Sequence, residues 1–178
     1  GPAPAAWTPE RFPDGIPVRG WETVTVPGAV ASWASLSERF GRLPFEELFE
    51  PAIGYAQDGF LVSPIIGRLW GIAAQQLKDQ PGFAEHFLPG GRAPKPGERF
   101  ASASFASTLR KIAETKGEAF YRGEIAERIV AHAQANGAAM TLDDLGAFTP
   151  EWCGTISQAF DAVDLHEEKT AAVFRLRD

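Results

Sequence analysis

Few residues in this chain are of types that do chemistry, and their spacing decides what each can do. The three histidines, His86, His132 and His166, fall on different elements, and none has a histidine or carboxylate four residues away. Surface or helix-cap positions are therefore expected of them, rather than metal ligands or a general base. Cys153, the one cysteine, would need a histidine in hydrogen-bond reach and an oxyanion-stabilising turn to act as a nucleophile. Only Gly154 beside it fits that pattern, so an incidental thiol is expected. Gly90-Gly91-Arg92 has the composition of an anion nest, but a phosphate loop needs a strand before it and a helix directly after. Prolines surround this one, so it reads as a surface loop. The acidic pair Asp143-Asp144 suits a helix start beside the positive end of the dipole, and Glu167-Glu168 reads as a solvated face. The aromatic residues Trp33, Phe45, Phe49 and Trp70 recur at helical spacing among apolar neighbours, which predicts core packing rather than a stacking platform. By these residues the chain holds no catalytic, substrate-binding, cofactor-binding or metal site, and no cofactor is expected.

The elements that carry these residues follow from periodicity and turn chemistry. Residues 1–20 hold Pro2, Pro4, Pro9, Pro13 and Pro17, so an extended surface segment is expected. Trp21-Glu-Thr-Val-Thr-Val26 is aromatic and β-branched and reads as a strand. Val30, Trp33, Leu36 and Phe40 give a helix, with Gly41 as its left-handed stop. Phe45, Leu48, Phe49, Ala52, Ile53 and Ala56 form a second apolar stripe. Pro51 interrupts that stripe, which predicts a kink or two short helices in series.

Ser63-Pro64 reads as an N-cap and first helical residue for a helix carrying Ile66, Leu69, Trp70, Ala73 and Leu77. After a loop over 88–97, helices are expected around Phe105 to Ala113, closed by Gly117, and from Glu124 to Asn136, capped by Gly137. Thr141-Leu-Asp-Asp144 resembles a capping box opening a short turn. Beyond Pro150 the alternation Ile156, Gln158, Phe160, then Val163 and Leu165, predicts two strands joined at Asp161-Ala162. The expected fold is mainly α with a few strands, about five helices bracketed by strands at both ends. Such terminal strands would pair with sequence outside the chain.

Composition bounds the partners. The 178 residues carry 17 Lys+Arg against 23 Asp+Glu, a net charge of −6, which argues against a phosphate-backbone binder. No stretch approaches the roughly 18 apolar residues of a membrane span. The chain opens Gly1-Pro2 and its one methionine is Met140, so it reads as a piece of a longer protein.

Seven blocks in register carry a resemblance. They are Thr25-Val-Pro-Gly-Ala-Val-Ala-Ser-Trp33, Phe40-Gly-Arg-Leu-Pro-Phe45 with Pro51-Ala-Ile53, Asp58-Gly-Phe60, Val62-Ser63, Phe120-Tyr-Arg-Gly-Glu-Ile-Ala-Glu127, Met140-Thr-Leu-Asp-Asp-Leu145 and Thr155-Ile-Ser157. Together they resemble the middle of the large subunit of the gamma-glutamyltransferase (gamma-glutamyltranspeptidase) family over residues 1–167. Residues 168–178 form a divergent C-terminal tail.

The resemblance implies a slice of the αββα N-terminal nucleophile hydrolase fold. It further implies a precursor that cuts itself in two, so that a threonine opening the small subunit attacks the gamma-glutamyl carbonyl of glutathione or a similar donor. Its own α-amine serves as base, two backbone donors hold the oxyanion, and water or an amino acid resolves the acyl-enzyme. By the same register the arginine that clamps the donor's α-carboxylate would stand just before Gly1, and the threonine downstream of Asp178.

The partners implied are the remainder of the precursor, including that small subunit, and a glutathione-like substrate. Nucleic acid is not among them. A periplasmic or extracellular setting is compatible with the family. Related acylases that remove beta-lactam side chains share much of the pattern. The contrasting expectation is a free-standing non-catalytic helical module, which would expose no sizeable apolar face.

Overall fold

The computed structural model describes residues 1–160 and 163–168 and divides into two units, Gly1–Phe148 and Thr149–Asp178. In the first unit the chain runs α1 (Ala29–Phe40), α2 (Glu50–Asp58), β1 (Phe60–Leu61), α3 (Pro64–Leu77), α4 (Phe83–Phe87), β2 (Arg99–Phe100), α5 (Ala103–Glu114), α6 (Glu118–Arg122), α7 (Glu124–Ala135) and α8 (Leu142–Gly146). The second unit holds β3 (Thr155–Phe160) and β4 (Val163–Glu168), an antiparallel pair from Thr155 opposite Glu168 to Phe160 opposite Val163. Asp161-Ala162, the expected junction of those strands, lies outside the described residues, as does most of the tail. The mainly α expectation with a few strands holds.

Two adjoining cores organise the first unit. One gathers Val30, Phe45, Phe49, Ala56, Ala106, Leu109, Ile112, Ala113 and Tyr121 from α1, the segment leading into α2, α2 itself, α5 and α6. The other gathers Val26, Ala126, Val130, Ala133, Met140 and Leu145, and Phe148 packs against both. Phe148 stacks on Tyr121 with ring centroids 5.6 Å apart. Its ring reaches the start of α1 only because Gly28 stands there: a Cβ on Gly28 would lie 2.8 Å from Phe148 Cζ. Gly117, at φ +87°, closes α5 in the conformation glycine tolerates best.

Local sequence explains the element ends. Ser63 Oγ accepts from Ile66 N at 3.3 Å and Ser102 Oγ from Phe105 N at 3.3 Å, two N-caps. The capping box at Thr141 is present, with Asp144 accepting the Thr141 amide at 2.8 Å. Around Pro51 the chain makes a 3₁₀ turn, Glu46–Phe49, and then α2, so the interruption gives two helices in series.

Four expectations are corrected. Residues Trp21–Thr23 form a 3₁₀ turn instead of a strand, entered through Gly20 at φ +98°. The backbone there bonds locally, Thr23 N to Gly20 O and Val24 N to Trp21 O, and only Val26 bonds across to another segment, at Pro2 O. The bracketing strand at the N-terminal end is therefore absent. Gly41 is extended at φ −65°, ψ 147°, with its amide on Ser37 O at 2.8 Å, so no left-handed residue ends α1. Of the four aromatic residues assigned to the core, Phe45 and Phe49 are buried, whereas Trp33 is 46% exposed and Trp70 half-buried. Finally, α4, α6 and the two-residue pair of β1 with β2 are additional; at five residues or fewer each is too short to show a period.

Candidate functional site

An apolar cleft of about 890 Å³ opens in the first unit. Trp33 of α1, Tyr55 of α2 and Phe105 of α5 line it, facing an aromatic wall of Phe60, Trp70 and Phe100. Trp70 holds that wall together, its ring 4.6 Å from Phe100 and its Nε1 donating to Phe87 O at 2.9 Å. The polar lining comprises His86, Arg128 and hydroxyls of α5.

Of those hydroxyls, Ser102, Ser104 and Thr108 are engaged locally. Ser102 caps α5, Ser104 Oγ is 3.3 Å from Ser102 Oγ, and Thr108 Oγ1 donates to Ser104 O at 3.1 Å. Among the described residues no lining hydroxyl has an imidazole or carboxylate as its hydrogen-bond partner, so the cleft holds volume and apolar surface without an activated nucleophile.

The other chemistry-bearing residues serve the scaffold. Thr141 Oγ1 donates to Asp144 Oδ2 at 2.8 Å, a hydroxyl–carboxylate pair, but the same Oγ1 accepts the Asp144 amide, so the pair is a helix cap. Asp144 also accepts the Ala5 amide at 2.7 Å. Desolvation pushes the Asp144 carboxyl upward, yet the hydrogen bonds from Ala5 and Thr141 outweigh it and leave the group below its ordinary value. With Pro2 O accepting from Val26 N at 2.9 Å, the segment from Pro2 to Ala5 is tied to α8 and to the second core.

Arg92 forks onto Glu98 with two bonds of 2.8 Å. That guanidinium first, and then the Lys95 amide, draws the Glu98 carboxyl down to about 2. Arg92 is therefore committed within its own loop, and the surface-loop reading of Gly90-Gly91-Arg92 fits. His132 is exposed, as its helix phase indicates, and accepts from Trp21 Nε1 at 2.9 Å. That bond joins α7 to the 3₁₀ turn at residues 21–23. His86 borders the cleft, Cys153 is exposed in the second unit, and His166 stands opposite Ser157 in the hairpin register. Among the described residues no group of three or more His, Cys, Asp or Glu could hold a metal ion. No helix there is long and apolar enough to cross a membrane.

Sequence reasoning missed the cleft. Its lining residues sit at ordinary helical spacing, and the periodic pattern distinguishes neither a core position from a cleft wall nor a filled face from an open one.

A helical scaffold with an apolar cleft is defined more by what it resembles than by its own chemistry. The profile of the family described as Gamma-glutamyltranspeptidase matches residues 1–172. The chain belongs to the gamma-glutamyltranspeptidase family. Among curated members it is 40% identical over 153 residues to the "glutathione hydrolase-like YwrD proenzyme" of Bacillus subtilis, which spans 85% of this chain and 29% of that protein.

Two solved family-fold structures superpose closely. The cephalosporin acylase of Bacillus halodurans gives a TM-score of 0.87 at 39% identity, over 93% of this chain and 33% of that one. The gamma-glutamyltranspeptidase of Pseudomonas nitroreducens gives 0.82 at 31% identity, over 92% of this chain and 50% of that one. The chain is thus a segment of the αββα N-terminal nucleophile hydrolase fold, spanning 29% of the curated relative's length.

Proposed function

We propose that residues 1–167 are the middle part of the large subunit of a gamma-glutamyltransferase, with residues 168–178 a divergent tail. The parent enzyme moves gamma-glutamyl groups from glutathione or similar donors to amino acids, peptides or water. The observation that carries this reading is the family match over residues 1–172, supported by superposition on a gamma-glutamyltranspeptidase over 92% of the chain.

In this reading the nucleophilic threonine, its α-amine base and the oxyanion donors come from the small subunit of the same precursor, outside this chain. The role left to the chain is to hold neighbouring elements of the site in place. No hydroxyl lining the cleft is paired with an imidazole or carboxylate among the described residues, and the one thiol lacks a base there, so acyl transfer has no activated nucleophile here.

The isolated chain, assayed with a chromogenic gamma-glutamyl anilide, is expected to release no chromophore above the buffer rate. Turnover that scales with protein and survives further purification would refute its inactivity.

A second reading rests on the 39% identity to a cephalosporin acylase: the parent removes an acyl side chain from a beta-lactam nucleus. The two readings are separated by offering the completed enzyme a gamma-glutamyl anilide and an acyl-cephalosporin side by side. Preferential turnover of the second would favour the acylase.

A further inference from the structure

The 3₁₀ turn Trp21–Thr23 is built as a separable piece. Its bonds are internal: Thr23 N to Gly20 O, Val24 N to Trp21 O, and Thr23 Oγ1 to Gly20 O at 2.7 Å. Gly20, at φ +98° and with nothing within 4 Å of where a Cβ would stand, supplies a pivot at its entrance. The turn can swing without breaking a backbone bond of its own. Side chains therefore fix it in place.

Two polar contacts and one apolar contact do so. Arg11, from the 3₁₀ turn Pro9–Arg11, forks onto Glu22 at 2.8 and 2.7 Å and donates to Gly137 O, just past α7, at 3.0 Å. Trp21 donates from Nε1 to His132 Nδ1 at 2.9 Å, with ring centroids 5.5 Å apart. Trp21 and Val24 also pack against the second core.

The two polar contacts answer acid differently. The Arg11 fork persists, because that guanidinium holds the Glu22 carboxyl below its ordinary value against the opposing effect of burial. The Trp21 bond does not persist. An imidazole accepts at Nδ1 only while neutral, and in the imidazolium both ring nitrogens are donors, so two N–H groups would then meet head-on. His132 is exposed, so the proton reaches it without opening the fold. Of the charged groups on the surrounding elements, Arg11 and Glu22 engage each other, and Glu10 bonds back to Thr8. Arg128, one turn back on α7, has the same sign as an imidazolium. Among the described residues no carboxylate forms an ion pair with His132.

We infer that the Trp21–His132 bond is a proton-operated catch. Protonating His132 frees the indole, and Trp21 lifts from α7 on the Gly20 pivot while the fork through Glu22 keeps the turn tethered and able to reclose. The catch is shut in mild alkali and opens as pH falls from about 8 to 5. The inference is independent of which acyl group the parent enzyme moves.

The test follows the indole N–H resonance of Trp21 in the isotopically labelled full chain over that pH range, the resonance being assigned by its loss in Trp21→Phe. Its position should track the titration of the His132 ring protons. Its protection from solvent exchange, corrected for the intrinsic rate at each pH, should fall by roughly three- to tenfold. Nuclear Overhauser contacts between the Trp21 ring and α7 should weaken together with it, while the amides of α5 stay protected. His132→Asn offers an acceptor oxygen that does not titrate, so in that variant the protection should stay flat; His86→Gln should behave as the unsubstituted chain does.

A Trp21 indole equally protected across the range, or one that loses protection equally in His132→Asn, would overturn the inference. Loss of α5 protection at the same pH would also overturn it, since the whole unit would then be unfolding. An indole that titrates while its ring contacts with α7 persist would confine the event to one hydrogen bond and rule out the catch.

Discussion

Tyr121 shows how a single polar group holds two elements. Its hydroxyl donates to Pro27 O at 2.7 Å and accepts from Ala31 N at 3.0 Å, while the ring, 4% exposed, stacks on Phe148. Burial raises its pKa, only partly offset by the Ala31 amide. The hydroxyl thus satisfies one of the free amides that open α1. Tyr121→Phe keeps the packing and leaves the Ala31 amide and the Pro27 carbonyl without this partner, so about 1–3 kcal/mol should be lost in a denaturant titration.

Asp144 works by charge. Its folded pKa is below the ordinary value of 3.8, so its contribution is present above that pH and fades as pH falls through the folded pKa. Glu98 follows the same sign between its ordinary 4.5 and about 2. Unfolding midpoints measured from pH 6 downward should therefore decline through the carboxylate range. Asp144→Asn should lower the midpoint at pH 6 and flatten that decline; an unchanged slope would mean that Asp144 is not coupled to folding.

At the level of elements, legibility followed length and punctuation. Helices α1, α3, α5 and α7 have 12 to 14 residues, enough to show an apolar period, and serine caps or glycine stops marked several of their ends. The segment at Trp21–Val26 misled because aromatic and β-branched composition indicates a strand only where another strand is at hand, and here the main chain turns back on itself after Gly20. Trp33 and Trp70 misled for a related reason. Helical spacing identifies an apolar face but not its neighbour, and their faces border an open cleft.

The scaffold elements are where stability lies. Leu145, fully buried at 0% exposure in the second core, should cost about 2–5 kcal/mol on truncation to alanine. Ile65→Ala in α3, at 70% exposure, should change the isolated chain by no more than about 0.5 kcal/mol. Chemical denaturation of the two variants side by side measures the contrast.

For the molecule as a whole, the sequence pattern made the family legible while the residues taken singly left the function blank. Histidines, cysteine and acidic pairs read as structural, and the structure gives His132 and Asp144 structural partners. The apolar cleft and the exposure of Ile65, Leu69 and Ile72 on α3 were not legible, because they are properties of packing across elements distant in sequence. They count against a free-standing module, which would bury such surface within itself, and they agree with a segment of a larger enzyme.

The most direct measurement of that account is gamma-glutamyl anilide turnover by the Pseudomonas nitroreducens enzyme carrying this chain in place of its own matching segment, beside the isolated chain. The chimera should process into two subunits and turn over the anilide while the isolated chain does not. A chimera that folds and processes yet releases no chromophore would contradict the account.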